Sequence, residues 1–175
     1  MQRKSTLFIM ACILISCPLL YSRNADFTWG VSMESVKKSL QADREAVTFY
    51  ADDKPQYKNK ILRHILNVDP TLSRECIILR INSRPVTDYL FVKGQLYSVL
   101  DDYENSNATE INTIGSNLKK LYGPPEIKEE GNEYTYSYNT SNTRVLFYFK
   151  KDLEGKIKSR VYYYPRKLFM MLISQ

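Results

Sequence analysis

The sequence predicts a mixed α+β domain: a two-layer sandwich in which an antiparallel sheet carries two helices on one face. Three observations lead there. Two capped stretches repeat apolar residues at helical spacing, Met33, Val36 and Leu40, then Ile111, Ile114, Leu118 and Leu121. Each is followed by short runs with strand character, such as Ile77, Leu79 and Ile81. Those runs are joined by turns too short for a parallel crossover, so the pairing must be antiparallel. With 175 residues, 43% hydrophobic and 25% charged, the chain fits one domain or at most two small ones.

Residues 1–22 read as an export leader. Arg3 and Lys4 precede an uncharged apolar run, Leu7–Ser16 (LFIMACILIS). A bilayer-spanning helix needs about 20 apolar residues, and this run is shorter and closed by Pro18. A basic start with a run of this size is the pattern of a secretory signal peptide. Leu14-Ile15-Ser16-Cys17 resembles the lipobox of bacterial lipoproteins, which implies lipidation of Cys17 and a membrane anchor. The competing cleavage position lies near residues 22–25. The folded part is then a single domain over residues 23–175. Cys12 and Cys17 belong to the leader, so Cys76 alone remains and no intramolecular disulfide can form in that domain. The formal charge of +6 falls by two once Arg3 and Lys4 are removed. A surplus that small does not indicate nucleic acid.

The first helix starts at Ser32, a good N-cap, with Glu34 where the helix dipole favours an acid. It fades by Arg44. Val47–Tyr50 is a short strand, and Asp52-Asp53-Lys54-Pro55 a turn. Lys60–Val68 reads as extended and Asp69-Pro70 ends it. Glu75–Ile81 is a strand. Ser83-Arg84-Pro85 turns the chain, Thr87–Val92 is a strand, Lys93-Gly94 a tight turn, and Gln95–Tyr103 its hairpin partner. Asn107 caps the second helix, with Glu110 three residues on as in a capping box. Gly123 stops that helix and Pro124-Pro125 prevent its restart. Strands follow at Glu133–Asn139, Thr143–Lys150 and Ile157–Tyr164. The order is helix then strands, twice over, with halves at about 27–105 and 106–165. Leu168–Ile173 (LFMMLI) is an apolar tail expected to dock on the core.

No catalytic, cofactor or metal site is nominated. His64 is the only histidine and Cys76 the only cysteine of the domain, too few for a structural zinc site with four such ligands. Asp101 and Asp102 are adjacent in a strand and point to opposite faces, and Asp52-Asp53 read as solvated charge. A triad would have to use His64, and no G-x-S-x-G elbow is present. A Cys76–His64 dyad is disfavoured because Cys76 sits in an apolar strand. Six glycines in 175 residues include no phosphate-cradling loop. Asn107-Ala108-Thr109 and Asn139-Thr140-Ser141 are glycosylation triplets that would matter only in a eukaryotic secretory pathway.

Tyrosine is the unusual feature, with 14 residues. Tyr134, Tyr136 and Tyr138 share one strand face, and Tyr162 and Tyr164 lie on one face of another strand. A large apolar ring with a polar tip suits a binding surface and equally suits a half-exposed sheet. These five form the candidate partner-binding face.

Trp29-Gly30-Val31-Ser32-x-x-x-Val36, followed by strands and by Leu121-Tyr122-Gly123-Pro124 at a helix end, resembles small exported bacterial proteins. Their layout is similar to the beta-lactamase-inhibitor-protein-like fold, shared by the outer-membrane assembly lipoprotein family. The resemblance implies a non-catalytic envelope protein, held to the membrane by a lipid anchor, that binds another envelope protein or supports an assembly. The alternatives are an exported enzyme acting on cell-wall or glycan material and a small-ligand carrier.

Overall fold

A computed structural model describes residues 28–40, 46–53 and 59–167. Cys17 with the rest of the leader, Lys54-Pro55 and the tail Leu168–Ile173 lie outside the described residues.

The chain enters through Trp29-Gly30-Val31-Ser32. Gly30 takes a positive φ of 82°, which glycine adopts without steric cost. The backbone then bonds to the edge of a hairpin: Gly30 N–H donates to Leu96 O at 3.0 Å, and Leu96 N–H to Val31 O at 2.9 Å. Trp29 Nε1 donates to Thr143 Oγ1 at 3.1 Å, more than 100 residues later. Helix α1 follows at Met33–Leu40, with Ser32 Oγ accepting Ser35 N–H at 3.2 Å as the N-cap.

Strand β1 spans Ala46–Tyr50. After a 3₁₀ turn at Ala51–Asp53, residues Lys60–Val68 form a second helix, α2, which corrects the extended reading of that segment. Read by alternation, Leu62, Leu66 and Val68 share a strand face. Read by turns, Ile61, Leu62 and Ile65 share a helix face, and these three are the buried ones. Asn59 decides the outcome: its Oδ1 accepts Ile61 N–H at 2.8 Å and Leu62 N–H at 3.1 Å. Asp69 ends α2 and caps the 3₁₀ segment Pro70–Glu75 by accepting Thr71 N–H at 3.0 Å.

Strands β2 (Cys76–Ile81), β3 (Val86–Val92) and β4 (Gln95–Ser106) complete the first half. Helix α3 spans Ala108–Tyr122. Its cap is Asn107, whose Oδ1 accepts Glu110 N–H at 2.9 Å. The Glu110 carboxylate pairs with Arg84 Nη2 at 2.9 Å, tying the start of α3 to the β2–β3 turn. Gly123, at φ 84°, closes the helix.

The second half is β5 (Glu126–Glu130), β6 (Glu133–Asn139), β7 (Thr143–Lys151) and β8 (Ile157–Pro165). β5 was invisible in the sequence. It carries one apolar residue, Ile127, among charges, and every residue in it is exposed. A strand held only by a partner's backbone shows no hydrophobic period.

All eight strands form one antiparallel sheet in the order β1-β2-β3-β4-β8-β7-β6-β5. The fold is mixed α+β and dominated by this sheet. The last strand of each half meets the other at the centre, with Leu100 opposite Tyr162.

Because neighbouring residues in a strand face opposite ways, the sheet builds two cores. The first joins Leu79, Tyr89, Phe91, Val99, Val145, Phe147, Val161 and Tyr163 with Val36 of α1 and Ile111, Ile114 and Leu118 of α3. The second joins Phe49, Cys76, Ile78, Leu90, Leu100 and Tyr162 with Ile61, Leu62 and Ile65 of α2. The sheet is thus packed on both faces, and the second is covered by an element expected to be a strand. In β4 the alternation changes phase at Tyr97, where the register shifts and Phe91 pairs with Leu96. One extra residue in one strand is a bulge. It puts Leu96 and Val99 in one core and Tyr97 and Leu100 in the other.

Candidate functional site

The five candidate tyrosines do not share a surface. Tyr134, Tyr136 and Tyr138 lie on the first face, opposite Phe149, Phe147 and Val145 of β7. Tyr162 belongs to the second core, and Tyr164, on the same face of β8, packs against that core. Tyr138 and Tyr162 are each 1% exposed and are core residues. Helix α3 is the reason for Tyr138, since Tyr122 at its end stands 6.2 Å from the Tyr138 ring. Burial pushes the Tyr138 phenol up to about 12, with Tyr136 adding to the effect.

On the same face Tyr134, Tyr136 and Phe149 are only half-buried, with Tyr136 and Phe149 packed against the first core. A Cβ added at Gly115 of α3 would meet the Phe147 ring at 3.8 Å, so the helix sits directly over Phe147. Around it these three half-buried rings form a cluster. Tyr134 stacks on Phe149 with centroids 4.9 Å apart. Tyr136 meets Phe149 edge-on at 5.5 Å and Phe147 at 6.0 Å. Ile127 of β5, 56% exposed, stands opposite Tyr136 and extends the patch to the sheet edge. Glu129 stands opposite Tyr134 on the same face. The ring alternation was legible in the sequence. Ile127 was missed because β5 was.

The second face carries ion pairs that hold strands together. Arg80 of β2 forks onto Asp88 of β3, Nε to Oδ1 at 2.7 Å and Nη2 to Oδ2 at 2.8 Å. Arg160 Nε of β8 donates to Asp102 Oδ2 of β4 at 2.9 Å. Lys60 Nζ of α2 lies 4.1 Å from the Tyr148 ring centre, a cation–π contact. Burial lowers the Lys60 ammonium from its ordinary value, and Glu133 opposes that.

Burial likewise holds the Asp102 carboxyl above the usual carboxylate range, with Arg160 pulling it back. An acid with a raised folded pKa binds more protons in the folded state, so its contribution is lost as pH rises through that pKa. Replacing Arg160 with methionine removes the opposing cation and raises the Asp102 pKa further. The stability of Arg160→Met is therefore expected to fall more steeply than that of the parent as pH rises above 3.8, the ordinary aspartate value. Urea unfolding at a series of pH values measures it. A variant curve parallel to the parent's would count against the coupling.

Asp101 faces the other way and accepts Thr87 Oγ1 at 2.7 Å, so the two adjacent acids are not one cluster. Cys76 is fully buried, and burial pushes its thiol up to about 12, which keeps it protonated and unreactive at neutral pH. His64 is on the exposed side of α2. Among the described residues no group of three or more His, Cys, Asp or Glu is placed to hold a metal ion. Among them, too, no helix is long and apolar enough to cross a membrane. Comparison with protein-family models, with curated proteins and with solved structures finds no match.

Proposed function

We propose that this chain is an exported envelope protein that binds another protein without catalysing a reaction, and that its contact surface is the half-exposed ring cluster of the first face. The observation that carries this reading is the cluster of exposed Ile127 with the half-buried rings of Tyr134, Tyr136 and Phe149. Aromatic side chains with an exposed polar tip are enriched in protein contacts. The basic start, the apolar run Leu7–Ser16 and Cys17 support export and a lipid anchor, which would present the domain to partners at a membrane surface.

The layout supports a finer reading. Each half is a helix followed by four strands in sequence, and α1 and α3 contribute to one shared core, as two related halves with both helices on one face would. Helix α2 has no counterpart in the second half, where Gly131-Asn132 alone joins β5 to β6. This arrangement supports the similarity to the beta-lactamase-inhibitor-protein-like layout.

Tyr134→Ser with Tyr136→Ser is the direct test. Both side chains are partly exposed, so the double variant is expected to lose cross-linking to its envelope partner while its melting temperature stays within a few degrees of the parent's. Retained cross-linking with an unchanged melting temperature would remove the ring cluster from the contact surface.

A further inference from the structure

β5 is the last strand of the sheet, and among the described residues no strand pairs with its outer side. Which of its peptide groups point outward follows from the hairpin. The two-residue turn Gly131-Asn132 closes between Glu130 and Glu133, which makes those two a hydrogen-bonded pair. Alternation then turns the N–H and C=O groups of Glu126, Lys128 and Glu130 towards β6, and those of Ile127 and Glu129 away from it. Going beyond the partner-binding reading, and independently of it, we infer that the occupant of this edge is a second copy of the chain, paired antiparallel on β5 about a two-fold axis through Ile127.

The side chains of Glu126-Ile127-Lys128-Glu129-Glu130 select this register. Residues directly opposite each other in antiparallel strands share a face, so the axis of a symmetric pair must pass between two like residues. Centred on any of the glutamates, it sets glutamate against glutamate. Centred on Lys128, it sets lysine against lysine and Glu126 against Glu130. Like charges directly opposite each other are destabilising. Centred on Ile127, it sets Glu126 against Lys128 on both sides of the axis and Ile127 against Ile127. Glu129 and Glu130 then run past Pro125 and Pro124, with no like charge opposite. The main chain agrees. Ile127 turns its peptide groups outward, so each Ile127 N–H donates to the Ile127 C=O of the other copy. Glu129 N–H meets Pro125 C=O, and the ladder ends there because proline has no N–H. Lys128 Nζ lies 2.7 Å from Glu130 Oε1, but both side chains are largely exposed, so that contact gives way at little cost. Ile127 is 56% exposed and gains the burial. It stands opposite Tyr136 on the first face, so the pairing joins the Tyr136–Ile127 rows of two copies into one. Charges that guard the edge against other registers leave one that is self-complementary.

The test is disulfide capture in the full chain. Across a hydrogen-bonded antiparallel pair the Cα atoms lie about 5.5 Å apart, within disulfide reach. Ile127→Cys is therefore expected to give a disulfide-linked dimer under mild oxidation. Glu129→Cys, also exposed and on the same face, is expected not to, because the register separates it from its own copy by about 13 Å along the strand. Cys76 is buried and stays out of the reaction. Every residue of β5 is exposed, so these variants are expected to keep the parent's melting temperature. Charge changes are then read in the Ile127→Cys background. Glu126→Lys sets lysine against lysine and is expected to slow capture about tenfold. Adding Lys128→Glu sets opposite charges together again and is expected to restore the rate. No dimer from Ile127→Cys, equal capture from Glu129→Cys, or a double charge variant as slow as the single one would overturn the inference. So would linkage of Ile127→Cys to a different protein in place of a second copy, which would make the occupant foreign. Cross-linking through Tyr134 and Tyr136 is measured separately, so either reading can fail without the other.

Discussion

Phe147→Ala is expected to lower the free energy of unfolding by about 3–5 kcal/mol, the range for emptying the site of a buried phenylalanine. Phe147 is 0% exposed at the middle of β7. It lies under α3 and touches Tyr136 and Phe149. Helix α3 packs on the sheet through Ile111, Ile114 and Leu118, and these cannot close around the space left by a ring in the strand beneath. Tyr134→Ala, one strand away on the same face, is expected to cost far less, because that ring is already partly in water. Urea titration of the two variants measures the difference. Similar losses for both would place the ring cluster in the core and take away the surface on which the protein-binding reading stands.

Asp88→Ala is expected to cost about 3 kcal/mol, the low end for breaking a buried ion pair, because Arg80 keeps 28% of its side chain exposed and can recover some hydration. Asp88 is only 2% exposed and receives both prongs of the Arg80 guanidinium. Removing the acid leaves a cation above the Phe49 ring, with apolar residues of the second core around it. Arg80→Met alone leaves the opposite orphan. The double variant is expected to lose less than the sum of the single losses, since neither charge is then left unmatched. Strict additivity would mean that the pair contributes through packing and not through charge.

The elements that were legible in the sequence bury one face or both and carry their own end signals. Helix α3 has Asn107 at one end and Gly123 at the other, with its apolar stripe between. β2 and β3 show apolar runs because they are covered on both sides. The two elements that escaped did so for opposite reasons. In α2, apolar residues are dense enough to satisfy a period of two as well as 3.6, and the deciding signal was the polar Asn59 before it. In β5 there is no period at all, because pairing with β6 holds it and none of the described residues buries it.

The candidate site was legible to the same degree. The alternation at Tyr134, Tyr136 and Tyr138 gave the face correctly. It could not separate Tyr138 from the other two, because that depends on where the end of α3 lands. Tyr162 and Tyr164 were grouped with them only by residue type. Strand pairing places those two on the opposite face, which no local pattern reports.

The protein-binding reading places this domain at a membrane surface outside the cytoplasm, and the amino terminus decides that most directly. The intact mass and terminal residue should be measured on protein purified from its own host. A chain that begins at Cys17 and carries the added mass of a diacylglycerol is the expected result. A chain that still begins at Met1, with no added mass, would contradict export and with it the proposed meeting with an envelope partner.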